Sequence, residues 1–312
     1  MKKQEQHQPV FLDEVIQYLA INPQGIYVDA TFGRGGHSRS LLQKLGSHGR
    51  LLVIDKDPAA IASAQQLAVQ DLRVEVHDGS FTCIAAVIKE KEIKEKINGI
   101  LFDLGVSSPQ LDQAERGFSF LRDGPLDMRM DPRSGISAAE WIQTVREEDM
   151  VRIFKEYGEE RYAKRIARAI AHLRNETSIT TTKQLADIVS EAHPHWEKHK
   201  HPATRVFQAI RIWINNEFGE LTMALKQSLE GLAVGGRLAV ISFHSLEDRI
   251  VKQFIREQAC EPNALKCLPM TTPAHFQPRL KVLTRGIKAD AQKIDENPRC
   301  RSAVLRVAEK IR

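Results

Sequence analysis

Three glycines and one aspartate in the first sixty residues have the types and spacing of a site that binds a nucleoside. Gly33, Gly35 and Gly36 lie between a short apolar run and a helical pattern. Glycine permits positive φ and lets a ligand approach the backbone without meeting a Cβ. Asp55 ends the next apolar run, 22 residues after Gly33, where a carboxylate can bind the two hydroxyls of a ribose. We therefore expect a nucleoside-containing cofactor.

The same turn favours S-adenosylmethionine over NAD. The dinucleotide fingerprint G-x-G-x-x-G has Ser38 at its third glycine position. Asp29, which ends the first apolar run, would repel a pyrophosphate but would attract the ammonium group of S-adenosylmethionine. On the turn alone, a plain strand–helix connection and an NAD oxidoreductase remain alternatives.

Two more strands end in residues that suit the same ligand. The alternating run 73–77 leads into Phe81, which is either a ring that stacks on adenine or a core aromatic. The buried run 97–105 contains Asp103 near its end. Ligands of open α/β sheets bind at the carboxyl ends of the strands, so we expect these side chains to lie along one edge.

The strands that carry these residues predict an α/β, Rossmann-like fold with an inserted helical domain. Residues 1–111 and 205–312 form the predicted cofactor-binding domain, and the polar, mostly helical residues 112–204 form the predicted substrate-recognition domain. In the second part we expect one helix over 206–229, a fifth strand over 237–243, and a terminal antiparallel pair over 280–287 and 302–308.

Composition indicates a globular protein with reduced thiols. The chain has 312 residues, of which 42% are hydrophobic, and a net charge of +5, which permits nucleic acid as a partner. No run of 18 apolar residues and no apolar stretch behind Met1 is found, so we expect a cytoplasmic protein. The cysteines at 83, 260, 267 and 300 lack the spacing of a zinc site or a disulfide framework.

Two features of the insertion are candidates for contact with RNA. The long loop 116–132 places Phe118 and Phe120 beside arginines, which suits a clamp for a base or a loop pinned by its own aromatics. A basic stripe follows, which suits a phosphate backbone or a solvated helix face with partners at i,i+4. The stripe consists of Arg161, Lys164, Arg165, Arg168 and His172.

A histidine-rich stretch and the residues around Ser245 could have a functional role or a purely structural one. The four histidines between 193 and 201 are interrupted by prolines and lysines and lack the H-E-x-x-H spacing, so we expect no metal. Ser245 and Asp248 predict a helix cap before a helix over 247–258, which favours a cap over a nucleophile. His244, just before it, is either aimed into the cleft or structural.

Five stretches of the chain resemble the MraW/RsmH family of bacterial methyltransferases, and the resemblance spans almost the whole sequence. These stretches are DATFGRGGHS at 29–38, DLGVSSPQ at 103–110, RGFSF at 116–120, GPLDMRM at 124–130 and SFHSLEDR at 242–249.

This resemblance implies an S-adenosylmethionine-dependent enzyme that methylates the exocyclic N4 of a cytidine in the decoding region of 16S rRNA. It implies 16S rRNA or the small ribosomal subunit as partner, no membrane, and a homodimer. The implied cofactor-binding residues are Gly35, Gly36, His37, Asp55, Phe81, Asp103 and Gln110. Of these, His37 and Gln110 rest on the resemblance more than on the patterns above.

The candidate catalytic residues are Asp103, Ser108 and His244, without a metal. Amine methyltransferases of nucleic acids often place Asp/Asn-Pro-Pro-aromatic at strand four. Here Asp103 lacks the prolines, and we expect Ser107-Ser108-Pro109 to substitute, with Phe118 or Phe120 as the stacking ring. Rival interpretations are a methyltransferase for protein or small molecules, and a non-catalytic RNA-binding module that senses the cofactor.

Overall fold

The computed structural model describes residues 9–195, 201–260 and 277–312. The chain forms two compact units, here called the sheet unit (Met1–Gly105 and Gly219–Arg312) and the helical unit (Val106–Phe218). His199, Cys267 and most of the loop predicted over 260–280 lie outside the described residues.

The sheet unit is built on one eight-stranded sheet in the order β3-β2-β1-β4-β5-β8-β6, with β7 paired to β8. Strands β1 to β5 are parallel, and β8 runs antiparallel to its neighbours. The strands are β1 Ile26–Asp29, β2 Arg50–Asp55, β3 Val74–Asp78, β4 Ile97–Asp103, β5 Leu232–Ser242, β6 Leu280–Val282, β7 Ile287–Lys288 and β8 Val304–Lys310.

Helices cover both faces of this sheet because successive side chains of its central strands point to opposite sides. Tyr27 and Leu51 pack into one apolar cluster, whereas their neighbours Val28 and Leu52 pack into the other. The helices are α1 Leu12–Leu19, α2 Gly36–Lys44, α3 Pro58–Gln70, α4 Ile84–Glu90, α11 Glu217–Gly231, α12 Ser245–Ala259 and α13 Ala291–Glu296.

The strand order reverses between β1 and β4, and this reversal locates the site. From β1 the chain passes to β2 and β3 on one side, then crosses to β4 on the other. Such a switch point opens a crevice at the carboxyl ends of the two strands, where open α/β sheets bind ligands. The predicted Rossmann-like α/β architecture is confirmed.

The helical unit packs its helices around a single apolar core of its own. The helices are α5 Ser108–Asp112, α6 Ala138–Thr144, α7 Glu147–Gly158, α8 Ala163–Leu173, α9 Thr182–Ala192 and α10 Ala203–Ile214. Helix α7 ends at Gly158, and a Cβ there would lie 2.5 Å from the carbonyl oxygen of Arg205. Throughout the described ranges, no helix has the length and apolarity needed to cross a membrane.

The loop 116–132 is held by its own side chains. Phe118 is only 7% exposed and belongs to the core of the helical unit. The guanidinium of Arg116 donates to the carbonyl oxygens of Arg129 and Met130, at 3.1 and 2.9 Å. The ring of Phe120 packs edge-on against Phe207, with centroids 4.9 Å apart. These contacts favour the pinned-loop interpretation over a clamp built from Phe118.

The sequence-based boundaries differ from the structure where α10 begins. The single helix predicted over 206–229 is two helices, because the chain turns at Asn216 with a φ of 47°. Helix α10 lies in the helical unit, although we predicted that the sheet domain resumes at residue 205. The physical reason is that Val206, Phe207 and Ile210 are buried in the helical core.

The buried side chain of Asn215 stabilises the loop 116–132 by hydrogen bonds to two of its backbone groups. Its Oδ1 accepts from the N–H of Met130 at 2.7 Å, and its Nδ2 donates to the carbonyl of Met128 at 2.8 Å. We expect Asn215→Ala to lower the free energy of unfolding by about 1–3 kcal/mol, because these groups lose a buried partner. Urea denaturation measures the change. The exposed Asn175→Ala is the matched control, and an equal loss in both variants would contradict the assignment.

Candidate active site

The candidate site lies along the edge where four parallel strands end, and each of these strands ends in an aspartate. These are Asp29, Asp55, Asp78 and Asp103. Asp29 and Asp103 end the two strands that flank the switch point. The four carboxyl groups differ in burial and in hydrogen bonding.

Asp29 holds the glycine turn. Its side chain is 1% exposed, with Oδ1 accepting from the N–H of Thr31 at 3.2 Å and Oδ2 from the hydroxyl of Ser38 at 2.6 Å. Burial raises the pKa of Asp29 to about 6, against the lowering effect of these two hydrogen bonds. We expected this acid to attract a ligand ammonium, and that expectation stays a prediction, because the structure shows only the internal hydrogen bonds that Asp29 makes to the turn.

Thr31 links the turn to the neighbouring strand. Its hydroxyl oxygen accepts from the backbone N–H of Asp103 at 2.6 Å, and the N–H of Ala30 donates to the carbonyl of Leu101 at 2.9 Å. The ends of β1 and β4 are thereby held in a fixed relation on both sides of the switch point.

The glycine turn is crowded enough to explain two of its glycines. Gly35 has a φ of 72°, and a Cβ on it would lie 2.5 Å from the ring of Phe32. A Cβ on Gly36 would lie 2.3 Å from Cγ of Pro9, which packs against the start of α2. The predicted cofactor residues Gly35 and Gly36 therefore have a structural requirement of their own.

Asp55 connects the end of β2 to the same turn. Its Oδ2 accepts from the N–H of Gly33 at 2.8 Å, and its Oδ1 accepts from the N–H of Asp57 at 2.9 Å. Burial raises the pKa of Asp55, and these hydrogen bonds act against that rise. Each carboxylate oxygen has a second lone pair, so the group retains acceptor capacity for ribose hydroxyls.

Phe81 lies beyond the end of β3 and packs on the sheet. Its ring meets that of Phe102 edge-on, with centroids 5.6 Å apart and an interplanar angle of 80°. The side chain is half-buried against the core. The structure thus shows the core contact of this ring, while its other surface stays accessible.

His37 is buried and neutral, which fixes its tautomer. Burial lowers the pKa of His37 to about 4. Its Nε2 lies 3.1 Å from the carbonyl oxygen of Val10, which can only accept, so we assign the proton to Nε2. The other nitrogen, Nδ1, then carries a lone pair and faces Oδ2 of Asp103 at 3.6 Å, beyond hydrogen-bonding distance.

Asp103 differs from Asp29 and Asp55 in its hydrogen bonding. Among the described residues, its buried Oδ1 has no hydrogen-bond partner, although the side chain as a whole is 27% exposed. Burial raises the pKa of Asp103 to about 8, and the negative charges of Asp29 and Glu247 add to the rise. Without a ligand, this carboxyl is therefore mainly neutral at pH 7.

Glu247 is a buried member of the site that the sequence analysis missed. Its Oε2 accepts from the N–H groups of Phe243 and His244, at 2.8 and 3.3 Å, and its Oε1 lies 2.9 Å from Nε2 of His244. The sequence feature that could have identified Glu247 is its position three residues after the N-cap, where the acid of a capping box lies. Our prediction placed that cap at Ser245, one residue too late, because His244 is the N-cap of α12.

His244 itself is tied to this cap. Its Nδ1 accepts weakly from the backbone N–H of Glu247, at 3.4 Å, and only 13% of its side chain is exposed. Of the two interpretations that the sequence left open, the structure favours the structural one for this ring.

Ser108 and Gln110 belong to the helical unit, at the start of α5. Ser107 is the N-cap, and Oε1 of Gln110 accepts from the N–H of Ser107 at 2.9 Å to complete a capping box. Gln110 is buried, and Ser108 is half-buried at the first helical position. Across the described part of the chain, no three His, Cys, Asp or Glu side chains are grouped as metal ligands would be.

Comparisons with known proteins give one family and several structural likenesses. The model of the MraW methylase family matches residues 4–311. A protein from Nitrosococcus oceani named ribosomal RNA small subunit methyltransferase H is 57% identical over 304 residues, which are 97% of this chain and 96% of that protein.

Two solved structures are similar to this chain at low identity. An rRNA methylase from Streptococcus thermophilus has 12% identity and a TM-score of 0.41, with 96% of this chain and 95% of that chain covered. A Streptococcus mutans protein in complex with SAH has 15% identity and a TM-score of 0.40, with 96% and 97% covered.

The raised pKa of Asp103 predicts a pH-dependent gain in stability for Asp103→Asn. From the unfolded pKa of 3.8 to the folded value of about 8, the folded protein keeps a proton that the unfolded chain has lost. The contribution of Asp103 to stability therefore falls as pH rises through this window. Asn cannot ionise, so we expect the variant to gain on the order of 5 °C in melting temperature at pH 8 and nothing near pH 4.

Asp71→Asn is the matched control with the opposite sign. The hydrogen bond from Arg73 holds the pKa of Asp71 below its ordinary value, so its contribution is present at neutral pH and lost as pH falls. Asp71→Asn should be less stable than wild type at pH 8. Thermal denaturation of both variants at pH 4, 6 and 8 measures the effects, and parallel curves for Asp103→Asn and wild type would refute the assignment.

Proposed function

The chain belongs to the MraW methylase family, and on that premise we propose that it transfers a methyl group from S-adenosylmethionine to the exocyclic N4 of a cytidine in 16S rRNA. Family membership confirms the resemblance on which the sequence analysis relied. The small-subunit rRNA in the name of the Nitrosococcus oceani relative supports the substrate. The observation that carries the proposed chemistry is the partly exposed carboxyl of Asp103 at the end of β4, beside the switch point.

The residues at the strand ends fit the cofactor. The carboxylate of Asp55 has acceptor capacity for a ribose, and Gly33, Gly35 and Gly36 present no Cβ of their own to a ligand. Phe81 offers an aromatic surface for adenine, and Gln110 is a further candidate contact. When bound, S-adenosylmethionine supplies an electrophilic methyl group on a sulfonium sulfur.

The amine of cytosine sets the requirement for Asp103. Its lone pair is delocalised into the ring, so the nitrogen is a weak nucleophile until its N–H groups are held by acceptors that turn the lone pair toward the methyl carbon. The side chain of Asp103 is partly exposed at the end of β4, so its carboxyl is suited to accept one of these N–H groups. Positioning of this kind supplies much of the rate enhancement in a direct transfer.

The same carboxyl is suited to take the proton that the reaction releases. As the N–C bond forms and the S–C bond breaks, the amine must lose one proton for the product to be neutral. A base whose pKa lies near the working pH does this most effectively, and the pKa of Asp103 is about 8. In this proposal Ser108 provides a second acceptor for the amine, and Glu247 and His244 position the segment after β5.

The remaining predictions follow from the substrate. An enzyme for ribosomal RNA acts in the cytoplasm, on naked 16S rRNA or on a small subunit during assembly. The homodimer implied by the resemblance stays a prediction, and light scattering of the purified protein tests it.

The proposed reaction predicts where a radiolabelled methyl group will be found. Wild-type protein is incubated with labelled S-adenosylmethionine and small subunits, naked 16S rRNA or bulk protein, and the label is mapped to the modified base. We expect label on the N4 of one cytosine, because the acceptor at Asp103 suits an amine. Label on protein supports a protein methyltransferase instead, and cofactor binding without transfer supports the non-catalytic module.

Two substitutions test the proposed acceptors. We expect Asp103→Ala and Ser108→Ala to lower the single-turnover methylation rate on the order of 100-fold, because the amine loses its orientation. Ser134→Ala, an exposed serine of the helical unit, is the control. The roles fail if both variants bind S-adenosylmethionine and methylate RNA at the wild-type rate.

Proton transfer to Asp103 predicts the pH dependence of the chemical step. We expect the single-turnover rate to rise with pH and to level off above about 8, as the carboxyl of Asp103 ionises. Rapid-quench measurements at saturating cofactor and RNA between pH 6 and 9 test this. A rate that is flat across this range would exclude Asp103 as the group that takes the proton.

A further inference from the structure

Helix α8 of the helical unit has two opposite faces of different character. Its buried residues are Ala163, Ile166, Ala167 and Ile170, which belong to the core of the unit. At about 100° per residue, these four side chains fall on one side of the helix. The exposed residues Lys164, Arg165, Arg168 and His172 fall within an arc of about 100° on the other side. This exposed surface is here called the basic face.

The basic face lacks the acidic partners that a solvated, salt-bridged helix would have. Helix α8 contains no aspartate or glutamate. Among the described residues, Lys164, Arg165 and Arg168 form no ion pair, whereas Arg146 and Arg152 on the neighbouring α7 segment both pair with Asp149. The alternative of i,i+4 partners that the sequence left open is therefore not what the structure shows for these three cations.

Like charges on this face work against the helix itself. Lys164 and Arg168 are four residues apart, which places their positive charges next to each other. Beyond the end of the helix, a carboxylate oxygen of Glu176 lies 3.5 Å from Nδ1 of His172. An uncompensated cluster of this kind is stabilised by an anion that spans several cations.

We propose that the basic face of α8 binds the phosphate backbone of the substrate RNA. This inference rests on the proposed function and adds a surface that contacts the RNA at phosphates rather than at the methylated base. From Lys164 to His172 the helix rises about 12 Å, a length over which a nucleic-acid strand presents several phosphates.

Uniform charge favours RNA over a protein partner. Protein interfaces bury aromatic or aliphatic anchors at their centre, and the basic face presents only cationic side chains. Arg161, just before the helix, extends the positive charge, with its guanidinium 5.9 Å from the ring centre of Tyr162. A row of cations without an apolar centre matches the backbone of a polyanion.

The test compares two triple variants that lose the same charge. Lys164→Gln, Arg165→Gln and Arg168→Gln together remove the basic face, and Lys44→Gln, Lys226→Gln and Lys252→Gln together remove three exposed lysines of the sheet unit. Affinity for 16S rRNA is measured by filter binding from 50 to 300 mM KCl. We expect the slope of log affinity against log salt to become shallower by about 2 in the first variant, at about 0.7 for each lost contact.

The control should keep the wild-type slope. A third variant, with Lys164→Arg, Arg165→Lys and Arg168→Lys, retains the charge and should also keep the slope, which separates loss of charge from loss of structure. Single-turnover rates at saturating RNA and the affinity for S-adenosylmethionine should be unchanged in the first variant, with the loss confined to KM for RNA.

Several results would overturn the inference. An unchanged slope in the first variant means that the face binds something other than RNA, such as an acidic protein. An equal loss in the control means that only net charge matters. If wild type binds 16S rRNA with the expected slope but transfers no methyl group to it, the proposed reaction fails while the binding surface stands.

Discussion

A carboxylate that water does not reach organises the first turn of this protein. Asp29 is buried at the end of β1, and burial of a charge is costly unless hydrogen bonds compensate for it. The N–H of Thr31 and the hydroxyl of Ser38 provide that compensation, and in doing so they fix both ends of the glycine turn. Thr31 is then positioned to accept from the N–H of Asp103, so the geometry of β4 depends on the same acid.

The electrostatics of the edge follow from this arrangement. Because Asp29 must stay where it holds the turn, its negative charge is felt by Asp103, and the buried Glu247 acts on Asp103 from the side of β5. Ionisation of Asp103 would add a further negative charge beside these two acids in a buried region, so the folded protein holds the proton on Asp103. In return, the protein obtains a carboxyl that is mainly neutral at pH 7 and can change its state when a ligand arrives.

Much of this site could be predicted from the sequence because it depends on strand ends. A β-branched run followed by an acid is a local signal, and parallel strands bring such ends together, so Asp29, Asp55 and Asp103 were found without a structure. What each acid does was not readable. The sequence gives no sign that both oxygens of Asp29 are engaged while Oδ1 of Asp103 is not, since that depends on contacts between distant segments.

Some predicted helix boundaries were wrong because they, too, depend on contacts between distant segments. The apolar period continues from Val206 to Leu229, but the left-handed conformation of Asn216 divides it, and asparagine is only a weak signal for that conformation. Burial of α10 in the helical core is decided by residues far away in sequence. The cap of α12 was misplaced by one residue because a histidine is an unusual cap and serine a common one.

The insertion also determines the order in which the newly made chain can acquire structure. Strands β4 and β5 are neighbours, yet the whole helical unit is synthesised between them, and β8 at the end of the chain lies between β5 and β6. The helical unit is continuous in sequence, whereas the sheet is complete only once β8 has been synthesised. During that interval the edge of β4 that later pairs with β5 has no strand partner, and an open edge of this kind can pair with another chain.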